Sequence, residues 1–151
     1  MCSSDLQNQA IEGMRSVLDY VDVMKLSDEE TMLLTDIEEP QAAAQALRKK
    51  GISIVAVTLG ADGAYICTKE GGAFVPGFAS NVVDTTGAGD SFWGGFLYQL
   101  SKSNKRPQEI SLEEAKEFAR FGNAVASLCV EKRGGIPAIP MMEQVIKRLN
   151  G

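Results

Sequence analysis

Residues 84–90, Asp-Thr-Thr-Gly-Ala-Gly-Asp, combine residue types that suit phosphoryl transfer. The apolar pattern that follows predicts a helix, with the small residues at its start. A helix N-terminus exposes backbone N–H groups with partial positive charge, which bind anions, and glycine allows a phosphate to approach closely. A carboxylate beside this site, Asp90, can accept a proton from a hydroxyl. The segment indicates phosphoryl transfer from a nucleotide to an alcohol, although a capped strand-to-helix turn would have a similar sequence.

Three further segments predict ordinary structure when each is considered alone. Ser27 followed by an acidic turn predicts a helix N-cap, with Glu30 completing a capping box. Residues 57–63, Val-Thr-Leu-Gly-Ala-Asp-Gly, are typical of a hairpin turn. Residues 121–128, which include Asn123 and several small side chains, predict the packing face of a helix.

The composition indicates a globular domain and argues against several classes of function. The chain has 151 residues, of which 44% are hydrophobic and 23% charged, enough for one domain. A net charge of −5 argues against a nucleic-acid partner. The sequence has no apolar run of the roughly 18 residues that span a membrane, and its first residues show no signal-peptide pattern.

Histidine is absent, and the three cysteines are widely separated without a Cys-x-x-Cys pair. This pattern argues against zinc sites, a disulfide framework and hydrolases of the Ser-His-Asp or Cys-His type. A reducing, cytoplasmic location is the simpler expectation.

Helix and strand patterns alternate along the chain, which predicts a layered α/β fold. The predicted strands are 21–26, 52–59, 64–68 and 73–75, with turns at 60–63 and 71–72. The predicted helices are 11–21, 28–34, 39–50, 88–100, 112–130 and 141–149. Ser111 with Glu114 predicts a second capping box at the start of the fifth helix, and residues 131–140 predict a Gly/Pro-containing loop. Gly94 and Gly95 lie inside one of these helices, where glycine is unfavourable, so we expect close packing against a neighbour there.

Residues 84–96, Asp-Thr-Thr-Gly-Ala-Gly-Asp-Ser-Phe-Trp-Gly-Gly-Phe, resemble the C-terminal signature of the ribokinase-like (pfkB-type) carbohydrate kinases. That family includes ribokinase, fructokinase and adenosine kinase. The motif is not a Walker loop, because no Gly-Lys-Ser/Thr follows. The resemblance implies the C-terminal half of a three-layer α/β/α fold with a mainly parallel central sheet.

The resemblance also implies a role for each matching residue in catalysis and nucleotide binding. Asp90 is expected to be the catalytic base, and the backbone of Gly87, Ala88 and Gly89 to form the anion hole. The residues expected at the nucleotide are Ser27, Thr58, Gly60, Gly63 and Asn123, the last of them near the adenine. Many family members have Asn in place of Ser27, whereas fructokinase-like members often have Ser in the pattern Lys-x-Ser-x-x-Glu.

The resemblance implies two cations. Glu30 matches the glutamate that organises Mg²⁺ through water, a role that suits an ion that keeps several of its waters. A monovalent cation, K⁺ in potassium-activated members, is expected at Asp84, Thr86, Gly134 and Gly135.

The resemblance runs from about Val17 to the C-terminus and covers about half of the family's usual length. We therefore expect residues 1–151 to form a single partial domain, the nucleotide-binding and catalytic half, without the sugar-binding half and its lid. Such a half leaves an unpaired strand edge, so we expect this chain alone to be poorly stable or to associate, and to lack normal kinase turnover.

The expected function is that of an ATP-dependent carbohydrate kinase, most like fructokinase, which transfers the γ-phosphate of ATP to a sugar hydroxyl. Two alternatives stay open: a nucleoside (adenosine-like) kinase of the same family, and a nucleotide-binding fragment without catalytic activity. The expected partners are ATP and a small sugar, without nucleic acid or membrane, and a homodimer of the full-length protein is left open.

Overall fold

A computed structural model of the chain describes Gln9 and residues 22–85, 87–131 and 141–150. Its strands are β1 (Val23–Ser27), β2 (Ile54–Thr58), β3 (Ala64–Thr68) and β4 (Gly71–Val75). Its helices are α1 (Asp28–Thr35), α2 (Pro40–Lys49), α3 (Ala88–Ser103), α4 (Leu112–Cys129) and α5 (Met142–Asn150). Single turns of 3₁₀ helix occupy Gly60–Asp62 and Pro107–Glu109. The helix predicted over 11–21, and all of the loop predicted over 131–140 except Glu131, lie outside the described residues.

The four strands form one sheet in the order β1-β2-β3-β4. β1 and β2 are parallel, with Ser27 opposite Thr58, so both strands end at the same edge of the sheet. The pairs β2–β3 and β3–β4 are antiparallel hairpins. Parallel pairing, predicted for most of the central sheet, is limited to β1 and β2 among the described strands.

The second hairpin turn lies at residues 69–70 rather than at the predicted Gly71-Gly72. Gly71 is already paired with Thr68, and Gly72 with Cys67. The two glycines belong to β4, where the bulky Tyr65 ring fills the space beside Gly72. Glycine serves here to make room for an aromatic ring, which a turn pattern in the sequence cannot distinguish from a chain reversal.

Helices cover both faces of the sheet, which confirms the three-layer α/β/α arrangement. On one face, residues of α1 and α2 such as Leu34 and Leu47 pack against Val55 and Val57. On the other, Phe92 and Phe96 of α3 and Phe118 of α4 pack against alternate residues of the same strand. β2 is therefore buried on both sides, as its continuous apolar sequence predicts. No helix in the described part of the chain is long and apolar enough to span a membrane.

Predicted capping boxes start two of the helices. The Ser27 hydroxyl accepts the Glu30 N–H at 3.2 Å, and the Ser111 hydroxyl accepts the Glu114 N–H at 3.1 Å. Glu114 also forms an ion pair of 2.9 Å with Lys105, and this contact, with the Ser111 backbone, lowers the pKa of the Glu114 carboxyl. These caps determine where α1 and α4 begin.

α3 and α4 approach each other closely at Gly95 and Gly122. A Cβ atom at Gly95 would lie 3.1 Å from the Gly122 Cα, and one at Gly122 would lie 2.6 Å from the Phe92 carbonyl oxygen. A Cβ atom at Gly94, by contrast, would meet nothing within 4 Å. The close packing predicted for the Gly94-Gly95 pair therefore applies to Gly95 alone.

We predict opposite effects of alanine at two glycines that both lie inside helices. Gly122→Ala forces the helices apart and should lower the free energy of unfolding by about 1–3 kcal/mol. Gly94→Ala adds a methyl group in open space and should raise it by up to about 1 kcal/mol through helix propensity. Urea denaturation of both variants measures the difference. Equal effects of the two substitutions would contradict the close approach.

Candidate active site

A pocket of about 500 Å³ lies where β2 ends, at the sheet edge at which open α/β folds bind ligands. Four parts of the chain form its walls: the turn after β2, the segment after β4, the start of α3 and one face of α4. None of the described residues that line it carries a charge. Its lining includes Thr58, Gly60, Gly63, Ala88, Gly89 and Asn123, which are six of the residues predicted from the sequence.

The start of α3 presents backbone to this pocket. Gly87 is the N-cap with φ of 78°, a left-handed conformation that favours glycine, and it has no side chain to cap the helix. Ala88 and Gly89 follow as lining residues, and the Ser91 N–H donates to the Gly87 carbonyl oxygen at 2.8 Å. The N–H groups of a first helical turn lack partners within the helix, so this helix start suits an anion.

Two predicted carboxylates flank the helix start. Asp90 is exposed and lies in the first turn of α3, directly after the lining residues Ala88 and Gly89. Asp84 is half-buried, and its N–H donates to the Val130 carbonyl oxygen at 3.1 Å. Of the other residues predicted for the monovalent cation, Thr86, Gly134 and Gly135 lie outside the described residues.

Lys25 on β1 brings a positive charge to the helix start, and the sequence prediction assigned it no role. Its Nζ lies 3.1 Å from where a Cβ atom of Gly89 would be. Within the described ranges, no carboxylate lies within ion-pair distance of this ammonium group. The signal was present in the Lys-x-Ser-x-x-Glu pattern, but spacing alone does not show that β1 passes beside α3.

Gly63, in the turn after β2, serves the chain's own packing. A Cβ atom at Gly63 would collide with the Val75 carbonyl oxygen and lie 2.6 Å from the Gly77 nitrogen. A Cβ atom at Gly77 would in turn lie 2.7 Å from the Ala61 carbonyl oxygen. The turn and the segment after β4 are thus in backbone contact, whereas Gly60 faces open space with φ of 62°.

Asn123 is buried in α4 and holds the chain that leaves β4. Its Nδ2 donates to the carbonyl oxygens of Val75 and Pro76, both at 3.1 Å. The same residue lines the pocket. The structure therefore gives Asn123 a structural role that the sequence prediction, an adenine contact, did not include.

Ser27 and Glu30 lie at the neighbouring strand end and do not line the pocket. The Glu30 carboxylate is exposed and accepts the Ser27 N–H at 3.4 Å, which completes the capping box. Within the described residues, no cluster of three or more cysteine or acidic side chains could hold a metal ion by itself. A single exposed carboxylate is compatible with an ion held mainly by water and by a ligand's own oxygens.

The family model of the pfkB family carbohydrate kinases matches residues 1–142. The chain belongs to this family. It is 40% identical over 134 residues to the Arabidopsis thaliana protein named "Probable fructokinase-5", a match that covers 87% of this chain and 40% of that protein. The chain thus spans less than half of the length of this curated relative.

Two solved structures share the fold of this pfkB-family chain. An aminoimidazole riboside kinase from Salmonella enterica, complexed with aminoimidazole riboside and an ATP analog, superposes with a TM-score of 0.81 at 31% identity, over 96% of this chain and 48% of the kinase. A fructokinase from Vibrio cholerae O395, bound to fructose, ADP and calcium, has a TM-score of 0.79 at 34% identity, over 97% of this chain and 45% of the kinase. These similarities confirm the ribokinase-like fold.

We predict that Asn123→Asp destabilises the chain in a pH-dependent way. A carboxylate facing two carbonyl oxygens should have a pKa above its ordinary value, so the charged form is disfavoured in the folded state. The free energy of unfolding should fall by about 1–3 kcal/mol at pH 8 and recover as the pH drops and the carboxyl becomes a donor. Urea denaturation at pH 5 and pH 8 measures this, with Asn150→Asp as the exposed control. A decrease in the free energy of unfolding of Asn123→Asp that is the same at pH 5 and pH 8 would contradict the two hydrogen bonds from Asn123 to Val75 and Pro76.

Proposed function

We propose that this chain is the nucleotide-binding and catalytic half of an ATP-dependent carbohydrate kinase. One observation carries the proposal: the glycine-rich helix start that lines the pocket has a cation, Lys25, and a carboxylate, Asp90, beside it. Anion binding, charge neutralisation and proton acceptance are the three tasks of phosphoryl transfer to an alcohol. Family membership and the nucleotides bound by the two similar kinases support the same proposal.

The nucleotide lies across the pocket in a defined direction. Its phosphates bind at the backbone of Gly87, Ala88 and Gly89, with the Lys25 ammonium beside them, because this end carries the helix dipole and a positive charge. Its base and ribose occupy the uncharged end, between Asn123 on α4 and the segment after β4. Uncharged walls suit an aromatic base, since pockets for such groups are mostly apolar with a few polar atoms.

Glu30 would hold Mg²⁺ through water when the ion accompanies the nucleotide. The ion, when bound, neutralises phosphate charge as the phosphoryl group moves. Glu30 fits this role because its carboxylate is exposed at the strand edge next to Thr58, where β1 and β2 end together. Asp84, with Thr86 and Gly134, is our proposal for the monovalent cation.

Asp90 accepts the proton of the attacking hydroxyl. The hydroxyl oxygen forms a bond to the γ-phosphorus, the bond from that phosphorus to the β,γ-bridging oxygen breaks, and ADP leaves. The backbone N–H groups of Gly87–Gly89 stabilise the charge on the transferring group, so positioning and electrostatics supply most of the rate enhancement.

Fructose is the acceptor that the relatives favour, because one is named a fructokinase and another was solved with fructose bound. A riboside is the second candidate acceptor, since the other similar structure is a riboside kinase. We propose that the acceptor is bound by a sugar-binding half that this chain does not include, so that the chain alone binds nucleotide without kinase turnover.

We predict that the chain binds MgATP and that Lys25→Met weakens this binding selectively. Loss of the ammonium should raise the Kd for MgATP roughly tenfold, the size expected for one charged contact. The Kd for adenosine, which lacks phosphates, should stay unchanged. Isothermal titration calorimetry measures both constants, with Lys69→Met as the exposed control of equal charge.

The same titrations decide between the candidate functions. Binding of MgATP without fructose supports a nucleotide half that needs its sugar-binding half. An equal loss of affinity for MgATP and adenosine in Lys25→Met would contradict the proposed direction of the nucleotide. No binding of either ligand to the unchanged chain would refute the nucleotide pocket itself.

We predict that Asp90→Asn in the complete kinase removes nearly all turnover while the Kd for MgATP changes little. Asparagine keeps the shape of the side chain but cannot accept the proton, and general base catalysis is worth on the order of 10²–10⁴-fold. Coupled measurement of ADP production gives kcat, and Asp36→Asn, an exposed substitution in a left-handed position that asparagine tolerates, is the control. Retained turnover would remove Asp90 as the base.

A further inference from the structure

One wall of the pocket has neither helix nor strand. Residues 76–85 connect β4 to the start of α3 without regular structure, and Ala79, Ser80 and Val82 line the pocket. Such a segment needs hydrogen bonds from elsewhere to keep its shape. Its backbone is held to the end of α4: the Asn81 N–H donates to Glu131 Oε2 at 3.2 Å, and the Val83 N–H to the Val130 carbonyl oxygen at 2.7 Å.

Arg148 on the last helix binds the same wall. Its Nη1 donates to the Ala79 carbonyl oxygen at 2.9 Å and lies 3.3 Å from the Ser127 hydroxyl, and its Nη2 forms an ion pair of 2.8 Å with Glu131 Oε1. The planar guanidinium thereby connects the wall, α4 and α5. We call Arg148, Glu131 and the two backbone groups they bind, the Ala79 carbonyl and the Asn81 N–H, the Arg148 clamp.

The ion pair of the Arg148 clamp is the least exposed of those in the described part of the chain. The Arg148 and Glu131 side chains are 22% and 25% exposed, against 44% and 30% for Lys105 and Glu114. Charged hydrogen bonds that are partly shielded from water are stronger than exposed ones. The clamp therefore holds the wall more firmly than a surface ion pair would.

Core packing places Arg148 at this position. Val145 of α5 is buried against Phe121 and Ala124 of α4. Arg120 of α4 also donates to the Leu149 carbonyl oxygen at 2.8 Å. These contacts anchor α5 along α4. The Arg148 guanidinium group therefore reaches the wall from outside the pocket.

We propose that Arg148 is a positioning residue of the nucleotide pocket, which acts through Glu131 and the backbone of residues 79–81. The proposal rests on the proposed function, since it assigns the wall to the nucleotide. Arg148 itself does not line the pocket, but Ala79, Ser80 and Ser127, which it holds directly or through its neighbours, do. A wall that is ordered before binding avoids the entropic cost of ordering it with the ligand.

The position of the Arg148 clamp predicts which ligands should lose affinity when the clamp is removed. Ser127 lies one helical turn beyond Asn123, on the side of the pocket assigned to the base and ribose. Release of the wall should therefore lower the affinity of the chain for adenosine and for MgATP by the same factor. Loss of Lys25 at the phosphate end should affect MgATP alone, so the two positions can be distinguished.

The test compares Arg148→Ala with Lys147→Ala, which removes the same charge from the neighbouring exposed residue of α5. Arg148→Ala should raise the Kd for adenosine and for MgATP by about tenfold, the size expected when a ligand must order a loop. Hydrogen–deuterium exchange at the Asn81 amide, without ligand, should be faster than in the unchanged chain. Arg148→Lys can keep the ion pair but not the bridge to Ala79, so its Kd values and its exchange rate should be intermediate. Lys147→Ala should change neither the Kd values nor the exchange rate.

Faster exchange with unchanged affinity for both ligands would overturn the positioning role. Unchanged exchange at the Asn81 amide in a folded Arg148→Ala variant would overturn the clamp itself. If circular dichroism shows that Arg148→Ala does not fold, Arg148→Lys replaces it in the comparison. The exchange rate at the Asn81 amide and the two Kd values of Arg148→Lys then support or overturn the proposal in the same way. Absence of nucleotide binding by the unchanged chain refutes the proposed function instead, and the exchange rates still decide whether Arg148 holds the wall.

Discussion

The contact of α3 with α4 at Gly95 and Gly122 is the constraint on which the pocket depends. It aligns the start of α3, where Gly89 presents its backbone, with the face of α4 that carries Asn123. A side chain at either glycine would separate the helices and move the anion-binding backbone away from the uncharged end. The distance between the proposed phosphate and base contacts is thus a property of helix packing rather than of any residue that would meet the ligand.

The opposite wall depends on backbone contacts of the same kind. Gly63 and Gly77 let the turn after β2 touch the segment after β4, and Asn123 ties that segment to α4. This wall is therefore held by backbone packing and by the two hydrogen bonds of Asn123. The cation beside the start of α3 comes from β1, in the form of Lys25.

The sequence predicted the local features well. Capping boxes at Ser27 and Ser111, the buried strand β2 and the family signature all depend on short patterns, which local physics determines. It also predicted six residues that line one pocket, because the family resemblance carries three-dimensional information. The individual roles of the site residues, including Asp90 as base, stay predictions.

Contacts between distant parts of the chain were not predictable in this way. Lys25 meets Gly89, and Arg148 meets Ala79, across separations for which the sequence has no periodic signal. The sequence also could not show that Gly95, and not Gly94, packs against a neighbouring helix. Both glycines have the same helix propensity, and only the position of α4 distinguishes them.

Every described residue that lines the pocket lies between Thr58 and Val130, so one continuous stretch of chain builds it. One wall of this stretch is also held by a residue beyond it, because Arg148 of α5 donates to the Ala79 carbonyl oxygen. Because Lys25 and Glu30 lie before this stretch, a different acceptor-binding segment would have to be joined ahead of β1 to leave the proposed nucleotide contacts unchanged. Diversity of acceptors around one proposed nucleotide site is the outcome that this arrangement would allow.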